Sequence, residues 1–223
     1  MRVVLFGASG MIGSGVLLEC LDDGRVTEVL SIGRSAIGVT HPKLTEIIQS
    51  DLFDYSAIQP RLAGWDACFF CLGVSSNGMT EEAYRRVTCD LTLAAARALL
   101  AGSAALTFCF VTGAGTDSSG KGGVMWARVK GQTENALLAM PFKAAYMFRP
   151  GIIQPKRGVR SKTPLYQFFI VLAAPVFPLL RRLFPRLVTT TVELGRGMIA
   201  VVEKGYARHI LDPEDINRLA RSG

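Results

Sequence analysis

The sequence lacks an apolar run long enough to cross a membrane. The longest, "PLYQFFIVLAAPVFPLL" from Pro164 to Leu180, is broken by Pro175 and Pro178, whereas a spanning helix needs ~20 mostly apolar residues. It reads as a helix packed on the domain or lining a pocket. Because Arg181 and Arg182 follow directly, 164–185 is also a candidate for peripheral membrane or protein contact. Cysteines are few and irregular, five in 223 residues, and no signal-peptide pattern precedes them. Both point to a reducing, cytoplasmic setting. "CFFC" (Cys68 to Cys71) lies inside an apolar run with no second ligand pair, so core cysteines fit better than a redox or metal site; no metal is expected. There is also no dense basic tract, and no RRM, zinc-finger or helix-turn-helix pattern. The net charge of +7 therefore favours small anionic ligands over nucleic acid. Repeats and low-complexity tracts are missing as well.

What is present is a strict alternation. "RVVLFG", "EVLSIG", "TEIIQS", "ACFFCLG", "LTFCFVT" and "KAAYMF" are short, apolar and rich in β-branched or aromatic residues. Between them "MIGSGVLLECLDD", "YSAIQPRLAG", "EEAYRRVTCDLTLAAARALL" and "WARVKGQTENALL" read as helices. Strands alternating with helices predict an α/β fold, a doubly wound parallel sheet of the Rossmann type, with both sheet faces covered. With 49% hydrophobic residues the chain can bury a core of one domain over 1–223. After "FRPGIIQP" the alternation stops. A helix from about Thr191 to Lys204, a short strand near "ARHIL" and a closing helix begun by Asp212-Pro213 follow. Residues 151–223 are expected to form a small helical cover over the substrate side, outside the carboxyl ends of the strands.

The first strand runs into "GASGMIG". Gly7 allows a tight turn, Gly10 lets the backbone approach a pyrophosphate, and Gly13 permits close helix–strand packing. The helix N-terminus supplies free N–H groups for phosphates, so Gly7, Ser9, Gly10, Met11, Ile12 and Gly13 are candidate cofactor contacts. At the tip of the second strand, "SIGRS" offers no acid for a ribose 2′-hydroxyl. It offers Arg34, which can pair with a 2′-phosphate, and Ser35; NADP(H) is favoured over NAD(H). The alternative for Arg34 is an ordinary surface arginine.

Gly7-Gly10-Gly13, "GRS", "SDLFD", "CLG" and "FRPG", in this order, resemble an atypical short-chain dehydrogenase/reductase, nearest to the branch of the Tat-interacting oxidoreductase. The resemblance covers nearly the whole chain. It implies that Asp51 and Leu52 flank the adenine, with a turn acid as the alternative for Asp51. It also implies that Cys71, Leu72 and Gly73 pass beneath the adenine ribose, and that Pro150 and Gly151 lie beside the nicotinamide.

Family enzymes use Ser, Tyr and Lys. Lys130 matches the lysine, which binds the nicotinamide ribose; the alternative is a solvated helix lysine. Thr112 stands at the serine position, with Ser118 and Ser119 as substitutes in "GTDSSGKGG", a loop expected to be mobile and to close over ligand. At the tyrosine position stands Trp126, whose indole donates a hydrogen bond but transfers no proton. It can wall off the nicotinamide, stack on a flat ligand, or simply pack. Tyr146 reads as core, and Tyr84 is unplaced. Two readings follow: an NADP-dependent oxidoreductase of a small carbonyl or alcohol with an altered proton donor, or a cofactor-binding redox sensor or scaffold without turnover. Oligomeric state stays open.

Overall fold

A computed structural model describes residues 1–159, 177 and 187–222. In chain order these form β1 (Arg2–Phe6), α1 (Met11–Asp22), β2 (Glu28–Gly33), β3 (Leu44–Ile48), a 3₁₀ segment (Ser56–Leu62), β4 (Ala67–Phe70) and α2 (Glu81–Arg85). A π turn (Arg86–Asp90), α3 (Leu91–Gly102), β5 (Thr107–Val111), α4 (Met125–Leu138), β6 (Ala144–Phe148) and β7 (Ile152–Gln154) come next. β8 (Val188–Thr190), α5 (Thr191–Lys204), β9 (Ile210–Leu211) and α6 (Pro213–Ser222) close the chain.

The sheet order is β3-β2-β1-β4-β5-β6-β9, and each neighbouring pair is parallel. Strand periodicity divides the core in two. In β1, Val3 and Leu5 join a cluster with Val16 and Cys20 of α1, Met198 of α5 and Ile216 of α6. Val4 and Phe6 join the opposite cluster with Ala95 and Leu99 of α3 and Leu137 of α4. Both faces of the strands are therefore covered, which is why they read as continuous apolar runs. Phe6, Phe70 and Phe108 line the second face, with successive ring centroids 5.1 and 6.0 Å apart.

The tail docks where small residues allow it. A Cβ on Gly15 would stand 2.5 Å from Cβ of Thr191, and one on Gly195 would stand 2.9 Å from the Glu19 side chain. Helices α1 and α5 thus cross at backbone distance. Across that crossing, Glu19 accepts from Arg157 Nη1 and Arg196 Nε, each at 2.9 Å.

Several elements differ from expectation. "YSAIQPRLAG" forms a 3₁₀ segment with Pro60 inside it rather than an α-helix; proline removes a donor and tightens the turn. The long second helix carries the π turn. β7 and β8 pair in parallel as a separate ribbon, Ile152 opposite Val188, which local pattern did not reveal. The described part of the tail covers a sheet face and adds β9 as a seventh strand. The apolar segment, and with it the candidate contact through 164–185, lies outside the described residues apart from Phe177.

Candidate functional site

The sheet order reverses between β1 and β4, so a crevice opens at their carboxyl ends. Gly7 fills it from β1 with φ of +81°, a left-handed conformation that glycine adopts freely. A Cβ there would meet the Cys71 carbonyl carbon at 2.8 Å, and a Cβ on Gly13 would lie 2.1 Å from the Gly7 oxygen. Gly10 differs. Among the described residues its Cβ would meet only the Gly7 oxygen, at 3.3 Å, so they leave the space over it open. Gly10 caps α1 without any side-chain hydrogen bond. The amides of Met11 and Ile12 open the helix beyond it, and Ser9 is only partly buried. This is a cradle of backbone donors facing open space, and it suits a phosphate.

Outward along the crevice, Arg34 and Ser35 are exposed at the tip of β2. Among the described residues no acceptor engages the Arg34 guanidinium. Asp51 is exposed, but its Oδ1 accepts from Phe53 N at 2.8 Å, so one oxygen shapes the turn. Leu52 is 4% exposed and belongs to the core. Cys71 and Leu72 are partly buried and Gly73 is exposed. Arg86, which sequence reasoning did not single out, sits over the Phe53 ring at 4.9 Å. It brings a second cation to this end.

The opposite end is built by tertiary contacts. Glu134 is fully buried on α4. Its Oε1 accepts from Thr112 Oγ1 at 2.6 Å and from Arg149 Nε at 3.0 Å, while Oε2 accepts from Arg149 Nη2. Arg149 Nη2 also donates to Ser118 Oγ at 2.7 Å. Lys130, one turn before Glu134, donates from Nζ to the Thr112 carbonyl oxygen at 2.7 Å. Burial pulls the Lys130 ammonium from its ordinary value down to about 8, against the opposing pull of Glu134. Thr112, Lys130, Glu134, Arg149 and Ser118 thus meet, with Pro150 buried and Gly151 partly buried immediately after Arg149. Glu134 and Arg149 were missed by sequence reasoning. Their signal was an acid four residues after the lysine on one helix face, and an arginine directly behind an apolar strand.

This arrangement corrects the picture of Thr112 as a hydroxyl aimed at ligand: it donates to Glu134 and lies against the Phe148 carbonyl. The loop after β5 is also better fixed than its glycines suggested. The Asp117 carboxylate accepts from the Ser119, Lys121 and Gly122 amides and from Ser119 Oγ. These bonds, Ser119 Oγ first, lower its pKa to about 2. A Cβ on Gly131 would stand 1.7 Å from the Asp117 oxygen, so the loop lies on α4 itself.

Trp126 is partly buried against a small cluster of Tyr84, Cys89 and Val129, with Gly115 at its ring edge. Tyr84 is only 2% exposed there, and burial raises its phenol above the ordinary range. Tyr146 is core, as its strand position indicated; its hydroxyl accepts from Tyr206 N at 3.0 Å. Cys68 is buried in β4, and all five cysteines are free. Among the described residues no helix is long and apolar enough to cross a membrane.

No protein-family model matches the chain. It is 30% identical over 165 residues to the mitochondrial protein fmp52-1 of Aspergillus terreus, covering 70% of this chain and 68% of that protein. It is 27% identical over 154 residues to HTATIP2 of Rattus norvegicus, covering 68% of this chain and 62% of the rat protein's length. Among solved structures, the Bordetella bronchiseptica enzyme WbmF, in complex with NAD+, aligns with a TM-score of 0.66 at 17% identity, over 99% of this chain and 76% of WbmF. At that identity the likeness concerns the fold. The cytoplasmic setting expected from the cysteines is overturned by the fungal relatives, which are named mitochondrial. Free thiols report reducing surroundings but carry no address.

Proposed function

The chain belongs to the atypical short-chain dehydrogenase/reductases, in the branch of HTATIP2 and the Fmp52 proteins, and from that premise we propose that it is an NADP(H)-dependent oxidoreductase of a small carbonyl or alcohol. The observation that carries this reading is the cradle over Gly10. Backbone donors there face open space that a Cβ on this residue would enter. A bound nicotinamide supplies or accepts the hydride; the chain does the rest. The amides of Met11 and Ile12 hold the pyrophosphate, with Gly7 and Gly13 keeping the turn tight beneath it. Arg34, without a partner among the described residues and at the tip of β2 where NAD sites place an acid, takes the 2′-phosphate with Ser35 beside it. Asp51, Leu72 and Gly73 border the adenosine, and Lys130, Pro150 and Gly151 border the nicotinamide ribose and ring. The Thr112 hydroxyl shapes that end by donating to Glu134 rather than by touching ligand.

Trp126, at the position of the family's tyrosine, supports a second reading: a protein that binds NADP(H) as a sensor or scaffold and turns nothing over. An indole cannot complete proton transfer. Isothermal calorimetry with NADPH and NADH tests what the two readings share. NADPH binding tighter by tenfold or more is the expected result; equal affinities would remove the role given to Arg34. Turnover separates the two readings.

A further inference from the structure

If the tyrosine is gone, the site needs another group whose proton is labile near neutrality. The described tyrosines are buried or bonded away from ligand. Tyr55 is buried with its ring edge-on to Phe6, 6.2 Å between centroids; its hydroxyl has no partner among the described residues, and burial pushes its phenol well above the ordinary range. Tyr84 is enclosed behind Trp126, Tyr146 is bonded within the core, and Tyr206 donates to Asp215 at 2.8 Å. The hydroxyls near α4 are engaged as well: Thr112 donates to Glu134, Thr116 to the Gly113 carbonyl and Ser119 to Asp117. Ser118 accepts from Arg149. Serine and threonine hydroxyls hold their protons far too tightly to act alone as acids at neutral pH.

Lys130 remains. It lies one helical turn from Trp126 on the same face of α4, partly buried, at the carboxyl end of β5. Among the described residues a single acceptor, the Thr112 carbonyl, holds its Nζ. An ammonium has three N–H donors, so two are left for ligand. The charged groups around it are Glu134 on its own helix and Arg149 from the end of β6. Those two neutralise each other in a pair that Thr112 and Ser118 complete. Asp117, on the neighbouring loop, is satisfied by that loop's own amides. The ammonium therefore stands where burial favours loss of its proton, and the pair beside it fixes the strand end it hangs from.

We propose that Lys130 Nζ is the proton donor and acceptor of this site, and that Glu134 and Arg149 are its positioning residues. The proposal rests on the oxidoreductase reading. In reduction an N–H bond of the ammonium breaks and its electron pair stays on nitrogen. The proton goes to the carbonyl oxygen as the carbonyl carbon takes the hydride supplied by NADPH. The neutral amine then regains a proton from water; oxidation of an alcohol runs the same transfer in reverse. Burial supports this role, since an amine titrating near 8 is matched to work close to neutrality.

The test has two arms. In the cofactor-free chain, acylation of Lys130 by acetic anhydride is followed against pH by peptide mass spectrometry. Half-maximal reactivity near pH 8 is expected, moving lower in Glu134→Gln because the carboxylate that retains the proton is gone. A midpoint near the ordinary lysine value of about 10.4 overturns the proposal. In the second arm, NADPH affinity and turnover of benzaldehyde, cyclohexanone and menadione are measured for wild type, Lys130→Arg, Tyr84→Phe and Tyr166→Phe. Arginine keeps the charge and the donors but does not release a proton. Lys130→Arg should bind NADPH within a few fold of wild type and lose roughly 10²-fold or more in turnover. Both phenylalanine variants should stay active. Turnover that survives Lys130→Arg, or disappears in either phenylalanine variant, overturns the assignment. So does a wild type that binds NADPH and turns over nothing. Failure of wild type to bind NADPH at all defeats the underlying oxidoreductase reading instead.

Discussion

The two ends of the crevice are built on opposite principles. At the end assigned above to the adenine, backbone amides and Arg34, which has no partner among the described residues, face outward, with Arg86 lying over Phe53 beside them. At the end assigned above to the nicotinamide, Thr112, Ser118, Glu134 and Arg149 have already satisfied one another, and Lys130 is held beside them by the Thr112 carbonyl. The first end is made by one turn and one strand tip, the second by two strand ends, a loop and a helix. A surface that only has to hold a ligand can leave its groups free to water. A surface that has to set the proton affinity of an amine must fix the charges around it before any ligand arrives.

Breaking the closed end should cost the most. Glu134→Ala leaves the Arg149 guanidinium partly buried without its counter-ion, and the loss of unfolding free energy in urea should be about 3–5 kcal/mol. Breaking the open end should leave stability nearly intact. Gly10→Val places a branched side chain in the empty space over the turn and should weaken NADPH by about a hundredfold or more, roughly 2.7 kcal/mol. If calorimetry finds NADPH binding normally, the turn is structural only. A smaller effect follows from Arg34→Ala, which should weaken NADPH by roughly 1.5–3 kcal/mol and leave NADH almost unchanged. Equal losses for both cofactors would count against the 2′-phosphate contact.

The smallest effect sharpens the comparison through pH. With Lys130 at about 8 in the fold against the ordinary 10.5, the unfolded chain binds the extra proton between those values, so this group's contribution to stability rises as pH climbs from 8 to 10.5. Below pH 8 the buried ammonium is a cost. Wild type should therefore gain about 1–2 kcal/mol on Lys130→Met between pH 7 and pH 10, after allowance for screening. Denaturant melts at the two pH values measure it, and a constant difference would mean an unperturbed lysine.

The sequence disclosed the open end and only part of the closed one, for one physical reason. Strand periodicity, the glycine turn and the Asp212-Pro213 start of α6 are local features, and the parallel sheet with its flanking helices follows from them. The helix from Thr191 to Lys204 has the bounds its pattern gave. By contrast, Glu134 and Arg149 are fifteen residues apart and meet only once β6 lies beside β5. Thr112 was visible as a hydroxyl at a strand end, but not which neighbour would accept its hydrogen bond. The β7–β8 ribbon joins segments on either side of the apolar stretch, so no local pattern contained it. Pro60 stands inside a segment whose pattern read as a full helix, and the structure makes it a 3₁₀ segment instead.

One interruption sets the phase of a whole helix. The π turn at Arg86–Asp90 inserts a residue into the rod formed by α2 and α3, and an added residue shifts everything beyond it by about 100° around the axis. Tyr84, before the turn, and Cys89, within it, are five residues apart, a spacing that would point them well apart in an uninterrupted α-helix; with the π turn between them they meet on the side of Trp126. Removing one residue from the turn would restore a uniform winding and swing α3 by about 100° about its axis, away from the strands that its apolar face covers.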